Sequence, residues 1–172
     1  MFQQSGSQIA AAAAVSLFSF VPDAAFAQTT EERRERGAVV IRSLNNGTPQ
    51  QTLESMRKEF PFLAEATEAY ALGDVWSRPG LDSRTRQLAA VAAFAAMGET
   101  TLMKVHAGYA LNIGVQENEL KEVIYMVTVP AGFPKAIAAS RVLSDLFRER
   151  REASGGAPAG QQPGAPPEVN RP

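Results

Sequence analysis

The chain has 172 residues, 45% of them hydrophobic, a net charge of −1, one histidine and no cysteine. That length accommodates one domain with tails and a real core, and the near-zero charge argues against non-specific nucleic-acid binding. The missing cysteines exclude disulfides, thiolate metal sites and thiol redox chemistry; the single histidine excludes a His-rich mononuclear site within one chain, but not a carboxylate site or one shared between subunits.

Residues 1–27 read as a processing segment. The apolar run at 9–20 has the length of a signal-peptide core and is too short to span a bilayer. Pro22 follows, then Ala25-Phe26-Ala27, a small-x-small cleavage pattern that leaves Gln28 as the new N-terminus. The expected location is periplasmic or secreted, with no membrane attachment after processing, although the segment before the run has no Lys or Arg.

Thr29-Thr30-Glu31-Glu32 opens a first helix with acids in its first turn, where the helix dipole favours them. Val39, Val40, Ile41 and Leu44 give it an apolar side, the Glu31–Arg36 charge run reads as a solvated face, and Asn45-Asn46-Gly47 ends it. Thr48-Pro49 reads as a cap followed by proline at the first helical position, starting a helix to Phe60 with Leu53 and Met56 inward. From Pro61, Phe62, Leu63, Ala66, Ala69, Tyr70 and Leu72 follow a helical period to about Gly73. DVWSRPG then reads as a loop, with Asp74 as a cap or a partner of Arg78.

Residues 81–114 read as two helices back to back. Asp82 is an N-cap, Ala and Leu dominate to Gly98, and Gly98 suits a left-handed C-terminal cap. The second helix starts near Glu99 or Thr100, carries His106 and stops at Gly114 by the same device. Residues 115–129 form a further helix with Leu120, Val123, Ile124 and Val127 inward, broken by Pro130 and Gly132. Pro134 opens a last helix to about Arg151, lined by Ile137, Val142, Leu143, Leu146 and Phe147. Residues 152–172 form a Gly/Pro-rich tail that is expected to be disordered. VVI and VIYMVTV are better explained as helix faces than as strands, and Met97 and Met103 as core. The domain, residues 28–151, is expected to be an all-α bundle of six to seven helices.

Four stretches in order carry a resemblance: YALGDVWSRPGLDSRTRQL, HAGYALNIGV, ELKEVI and GFPKAIAA. Together they resemble the carboxymuconolactone decarboxylase family, with its alkylhydroperoxidase-like fold. The resemblance implies an all-helical subunit in a homo-oligomer, a trimer or hexamer, and a cofactor-free lyase (a decarboxylase) acting on a small carboxylated lactone or related enolisable acid, with no metal. The family's redox branch has cysteines seven and four residues before the histidine; here Glu99 and Leu102 stand there, so thiol peroxidase activity is not expected. The decarboxylase branch usually has a carboxylate at that four-before position and an aromatic residue two before the Gly-x-Pro; here these are Leu102 and Pro130.

Loss of CO₂ from such a substrate drives an electron pair into the unsaturated lactone. The transition state needs a donor at the oxygen gaining charge, cations to hold carboxylates, best supplied by Arg in bidentate geometry, and an acid to return a proton to carbon. The expected catalytic residues are His106 as acid or donor, Arg86, and Trp76 as an apolar wall with an indole N–H. Arg78 and Arg84 are expected to bind substrate carboxylates. Arg84 and Arg86 sit in a first helical turn, where the dipole opposes cations, which points to an anionic partner. Tyr109 and Asn112, near one face with His106, are expected to bind substrate or orient the ring. The competing reading is a non-catalytic oligomeric binding or scaffold protein of the same fold, with His106 as a core residue.

Overall fold

The structure is a computed structural model that describes residues 28–155; the leader at 1–27 and residues 156–172 of the tail lie outside them. The described residues form seven α-helices and one π-helical segment, with no strand among them. Helix α1 (Thr30–Leu44) begins with a capping box: the Thr29 hydroxyl accepts from the Glu32 N–H, and the Glu32 carboxylate accepts from the Thr29 N–H. It ends where Asn46 and Gly47 take positive φ, 52° and 80°. Helix α2 (Gln51–Glu59) starts two residues later than the Thr48-Pro49 reading predicts. Gln50 is the cap, its side chain accepting from the Leu53 N–H at 2.9 Å, while the Thr48 hydroxyl donates back to the Asn45 carbonyl. Leu53 is buried and Met56 half-buried.

Helix α3 (Pro61–Ala66) runs directly into the π-helical segment Thr67–Trp76. The helix therefore does not stop at Gly73, and Asp74, Val75 and Trp76 belong to it rather than to a loop. The wider turn is seen in the Ser77 N–H donating to the Leu72 carbonyl, five residues back. It turns Glu68, Ala69, Leu72 and Gly73 inward and leaves Tyr70, predicted inward, exposed; Phe62 and Leu63 are exposed as well, since α3 buries only Ala64. Helix α1 packs along this segment at very short range. A Cβ on Gly37 would overlap the Glu68 carbonyl, and one on Gly73 the Arg33 carbonyl, so the two backbones touch through their glycines.

The Glu31–Arg36 run is part of this interface rather than a solvated face. Arg33 and Arg36 both bind Asp74, at 2.5 and 3.1 Å, and Arg34 joins Arg57 on the buried Glu68. Asp74 thus pairs with α1 rather than with Arg78, and the Arg33 hydrogen bond, foremost, holds its carboxyl below the usual range. Val39, predicted inward, is exposed, while Ile41 and Leu44 are buried.

Helices α4 (Ser83–Met97), α5 (Thr100–Asn112), α6 (Glu117–Ala131) and α7 (Phe133–Ala153) build the main core. Asp82 caps α4 through the Thr85 N–H at 2.8 Å, and Gly98 ends it at φ 85°. Lys135 closes the same end, donating to the Met97 carbonyl at 2.9 Å; the Met97 side chain, predicted as core, is exposed at the end of the helix, whereas Met103 is fully buried. Pro130 sits inside the last turn of α6, so Gly132 alone breaks the chain there. Ile137 is largely exposed; Ala136 and Ala139 take the inward positions with Leu143, Leu146 and Phe147, and α7 runs two residues past Arg151. A smaller apolar cluster of Ile41, Leu44, Leu53, Leu72 and Tyr109 joins α1, α2 and the π segment to α5.

Candidate functional site

His106 lies on α5, facing α4 and the end of the π segment. On α4 the buried positions Gln87, Val91 and Ala95 recur every four residues, so Gln87 stands on the core-facing stripe and is fully buried. His106 Nδ1 lies 2.8 Å from Gln87 Oε1. The imidazole is stacked between Trp76 and Phe94, with centroids at 5.3 and 5.1 Å and planes 21° and 26° from parallel. Tyr109 meets it edge-on at 5.9 Å. The ring is clamped on both faces and fixed in rotation by one hydrogen bond.

Because Oε1 accepts, Nδ1 carries the hydrogen and Nε2 presents a lone pair. Burial pushes the His106 pKa down from 6.5 to about 4, so at pH 7 the ring is neutral. Burial pushes the Tyr109 phenol up to about 12, against a smaller opposing effect of the neighbouring Gln50 side chain. The Gln87 amide Nε2 and the Tyr109 hydroxyl are buried without a hydrogen-bond partner. Among the described residues no three His, Asp or Glu side chains gather as a metal site.

The predicted site residues do not gather in one place. Trp76 touches the imidazole and also lines a cavity of about 370 Å³ shared with Arg36, Arg78, Leu81 and Arg86. The Arg78 side chain is exposed and makes no hydrogen bond or ion pair among the described residues. Arg86 is turned onto three carbonyls, those of Val75, Arg78 and Leu81, closing the end of the π segment over the start of α4. Arg84 pairs with Glu119 on α6, and that hydrogen bond lowers the Glu119 pKa. The anionic partner expected for the first turn of α4 is, for Arg84, this carboxylate. Asn112 does not reach the imidazole: its amide donates to the Leu44 carbonyl at 2.9 Å and its oxygen accepts from Arg150 at 3.0 Å. Tyr109 touches the ring but makes no hydrogen bond to it. The residue that orients His106 is Gln87.

Sequence reasoning missed Gln87 and Phe94. The available signal was a polar side chain, four residues before Val91, on the buried face of an otherwise Ala- and Leu-rich helix. Phe94 lies seven residues after Gln87, two turns along the same side.

Residues 61–145, a span that holds Trp76, Gln87, Phe94, His106 and Tyr109, match the carboxymuconolactone decarboxylase family. The chain is 38% identical over 80 residues to the 4-carboxymuconolactone decarboxylase of Acinetobacter baylyi, covering 46% of this chain and 60% of that protein's length. It is 32% identical over 98 residues to the nitrosuccinic acid decarboxylase of Metarhizium robertsii, covering 55% and 68%. It is 22% identical over 130 residues to an uncharacterised 15.0 kDa protein of Paracoccus denitrificans, covering 74% and 97%. With these matches on an all-helical subunit, the chain belongs to the carboxymuconolactone decarboxylase family.

Proposed function

We propose that this chain is a cofactor-independent carboxy-lyase acting on a small acid whose carboxyl group neighbours an electron-withdrawing group. The observation that carries the reading is the imidazole of His106, clamped by Trp76 and Phe94 and held by Gln87, within a chain of this family. The names of the two decarboxylases fit one chemical class. A carboxylated lactone and a nitro diacid both place a carboxylate where a neighbouring group can take up the electron pair left by CO₂.

In the proposed reaction Arg78, the cation left without an internal partner, holds a substrate carboxylate in the cavity beside Trp76. Breaking the C–C bond leaves an enolate-like anion beside the Trp76 wall of that cavity. The free imidazole is neutral at pH 7, but a substrate anion beside it raises its pKa. Binding thereby loads the proton that His106 returns to carbon, and Gln87 holds the ring in place meanwhile.

A second reading is a non-catalytic oligomeric scaffold. It is favoured by Arg84 and Arg86, which are committed to Glu119 and to backbone carbonyls. Both readings include self-association, supported by exposed apolar side chains at Tyr125, Met126, Val129 and Phe133, and export after cleavage at Ala27.

Assay of CO₂ release from 4-carboxymuconolactone and from nitrosuccinate decides between them. Turnover of either, with KM raised about tenfold or more in Arg78→Gln, is the expected result. No CO₂ from either acid moves the assignment to the scaffold.

A further inference from the structure

Trp76 is the last residue of the π-helical segment, and it meets the imidazole in the phase with which that segment ends. A wider turn adds less rotation per residue than an α-turn, so the same 10 residues wound as an α-helix would aim Trp76 to another side. Turns of this kind ordinarily come singly inside α-helices, and a segment of this length needs support from outside. It receives that support at both ends. At its start, Glu68 is held by Arg34 of α1 and Arg57 of α2. Near its end, two residues before Trp76, Asp74 is held by both of its oxygens. Arg33 reaches Oδ2 through Nε at 2.8 Å and through a terminal nitrogen at 2.5 Å, and Arg36 reaches Oδ1 at 3.1 Å. Arg36 Nε also donates to the Gly73 carbonyl at 3.2 Å. These are charge-assisted bonds between half-buried groups, the stronger kind of hydrogen bond. From the α4 side, Arg86 reaches the Val75 carbonyl at the longer distance of 3.4 Å. Arg36 and Trp76 stand on the wall of one cavity, so the grip on Asp74 lies at the site itself.

We propose that Asp74, gripped by Arg33 and Arg36, is a positioning residue of this site: it sets the phase in which the π segment ends and so holds Trp76 flat on His106. The Glu68 pairs fasten the start of the segment and leave its end free to rotate. Trp76 is both one face of the clamp on the imidazole and part of the cavity wall, so its rotation opens both. The proposal rests on the carboxy-lyase reading only in taking this site as the active one; the arrangement itself is read without turnover.

The test is proton NMR of the full chain at neutral pH, where the ring-hydrogen signals of the single histidine report the stack. Aromatic rings lying on an imidazole displace these signals upfield, and Trp76→Leu gives the positions they take with Phe94 alone. Asp74→Asn, which removes the charge and keeps the shape, is expected to move the signals from the wild-type positions toward those of Trp76→Leu. Glu68→Gln breaks the pairs at the other end of the segment; it is expected to lower the urea midpoint and leave the signals in place. Arg36→Gln, which keeps the Arg33 pair, is expected to move them in the same direction as Asp74→Asn and replaces that variant if it folds poorly. Wild-type positions in Asp74→Asn, or in Arg36→Gln where it stands in, overturn the proposal. Equal displacement in Glu68→Gln overturns it too, making both sets of pairs general supports of the fold. An inactive wild type with the expected displacements overturns the carboxy-lyase reading and still supports the positioning role.

Discussion

Nδ1 of His106 lies 2.8 Å from Oε1 of the fully buried Gln87. The pairing sets the tautomer of the imidazole and leaves Nε2 as the ring atom available to a ligand. An amide at this position is neutral in every state of the histidine, so it orients the ring without stabilising its charged form. A carboxylate there would do both.

Gln87→Glu is therefore expected to raise the His106 pKa well above about 4. Proton NMR of the ring hydrogens against pH gives it directly, since this is the one histidine in the chain. An unchanged titration near pH 4 would show that the two side chains do not meet in solution.

The same depressed pKa predicts how stability varies with pH. The folded-state value of about 4 lies below the ordinary 6.5, so between these values the unfolded chain binds a proton that the fold does not. The contribution is fully present above about pH 6.5 and is lost as pH falls through 4, by at most ~3 kcal/mol for a half-buried group. Urea unfolding of the wild type between pH 4 and 7 is expected to show this slope, and His106→Gln to remove its share. Equal slopes in the two proteins would contradict the buried, neutral ring.

Gly73 is expected to tolerate no side chain. A Cβ there overlaps the Arg33 carbonyl, so Gly73→Ala must separate α1 from the π segment and loosen the Asp74 pairs with Arg33 and Arg36. The expected loss is about 1–3 kcal/mol or more, read as a lower urea midpoint. Gly108, with open space around its Cβ position, serves as the comparison and is expected to accept alanine.

Much of this fold was legible because its signals are local. The Asp82 cap, the Gly98 stop and the apolar spacings of α6 and α7 each lie within a few residues of one another. The π segment was not legible, since its wider turn is set by backbone contact with α1 through Gly37 and Gly73, far apart in sequence. The same applies to the ion pairs: Arg33 finds Asp74 across 41 positions and Arg84 finds Glu119 across 35. At the site, His106 and Trp76 were named from the motif resemblance, whereas their stacking, Gln87 and Phe94 required knowing which faces turn inward.

If substrate binding loads the proton onto His106, kcat/KM and kcat will differ in pH dependence. The free imidazole is protonated to only about 10⁻³ at pH 7, given a pKa of about 4. We expect kcat/KM to fall about tenfold per pH unit above that value, with kcat level to a higher pH. A flat kcat/KM from pH 5 to 8 would remove His106 as the acid.

The most direct test of the central claim is turnover by His106→Gln, which keeps a hydrogen-bonding side chain and removes the titrating group. With whichever acid the wild type decarboxylates, the account predicts a fall in kcat of about 10²–10⁴-fold, with nearly unchanged melting temperature at neutral pH and oligomer size. Nearly normal turnover per folded subunit, with a lower melting temperature and altered assembly, would contradict it and make His106 a core residue.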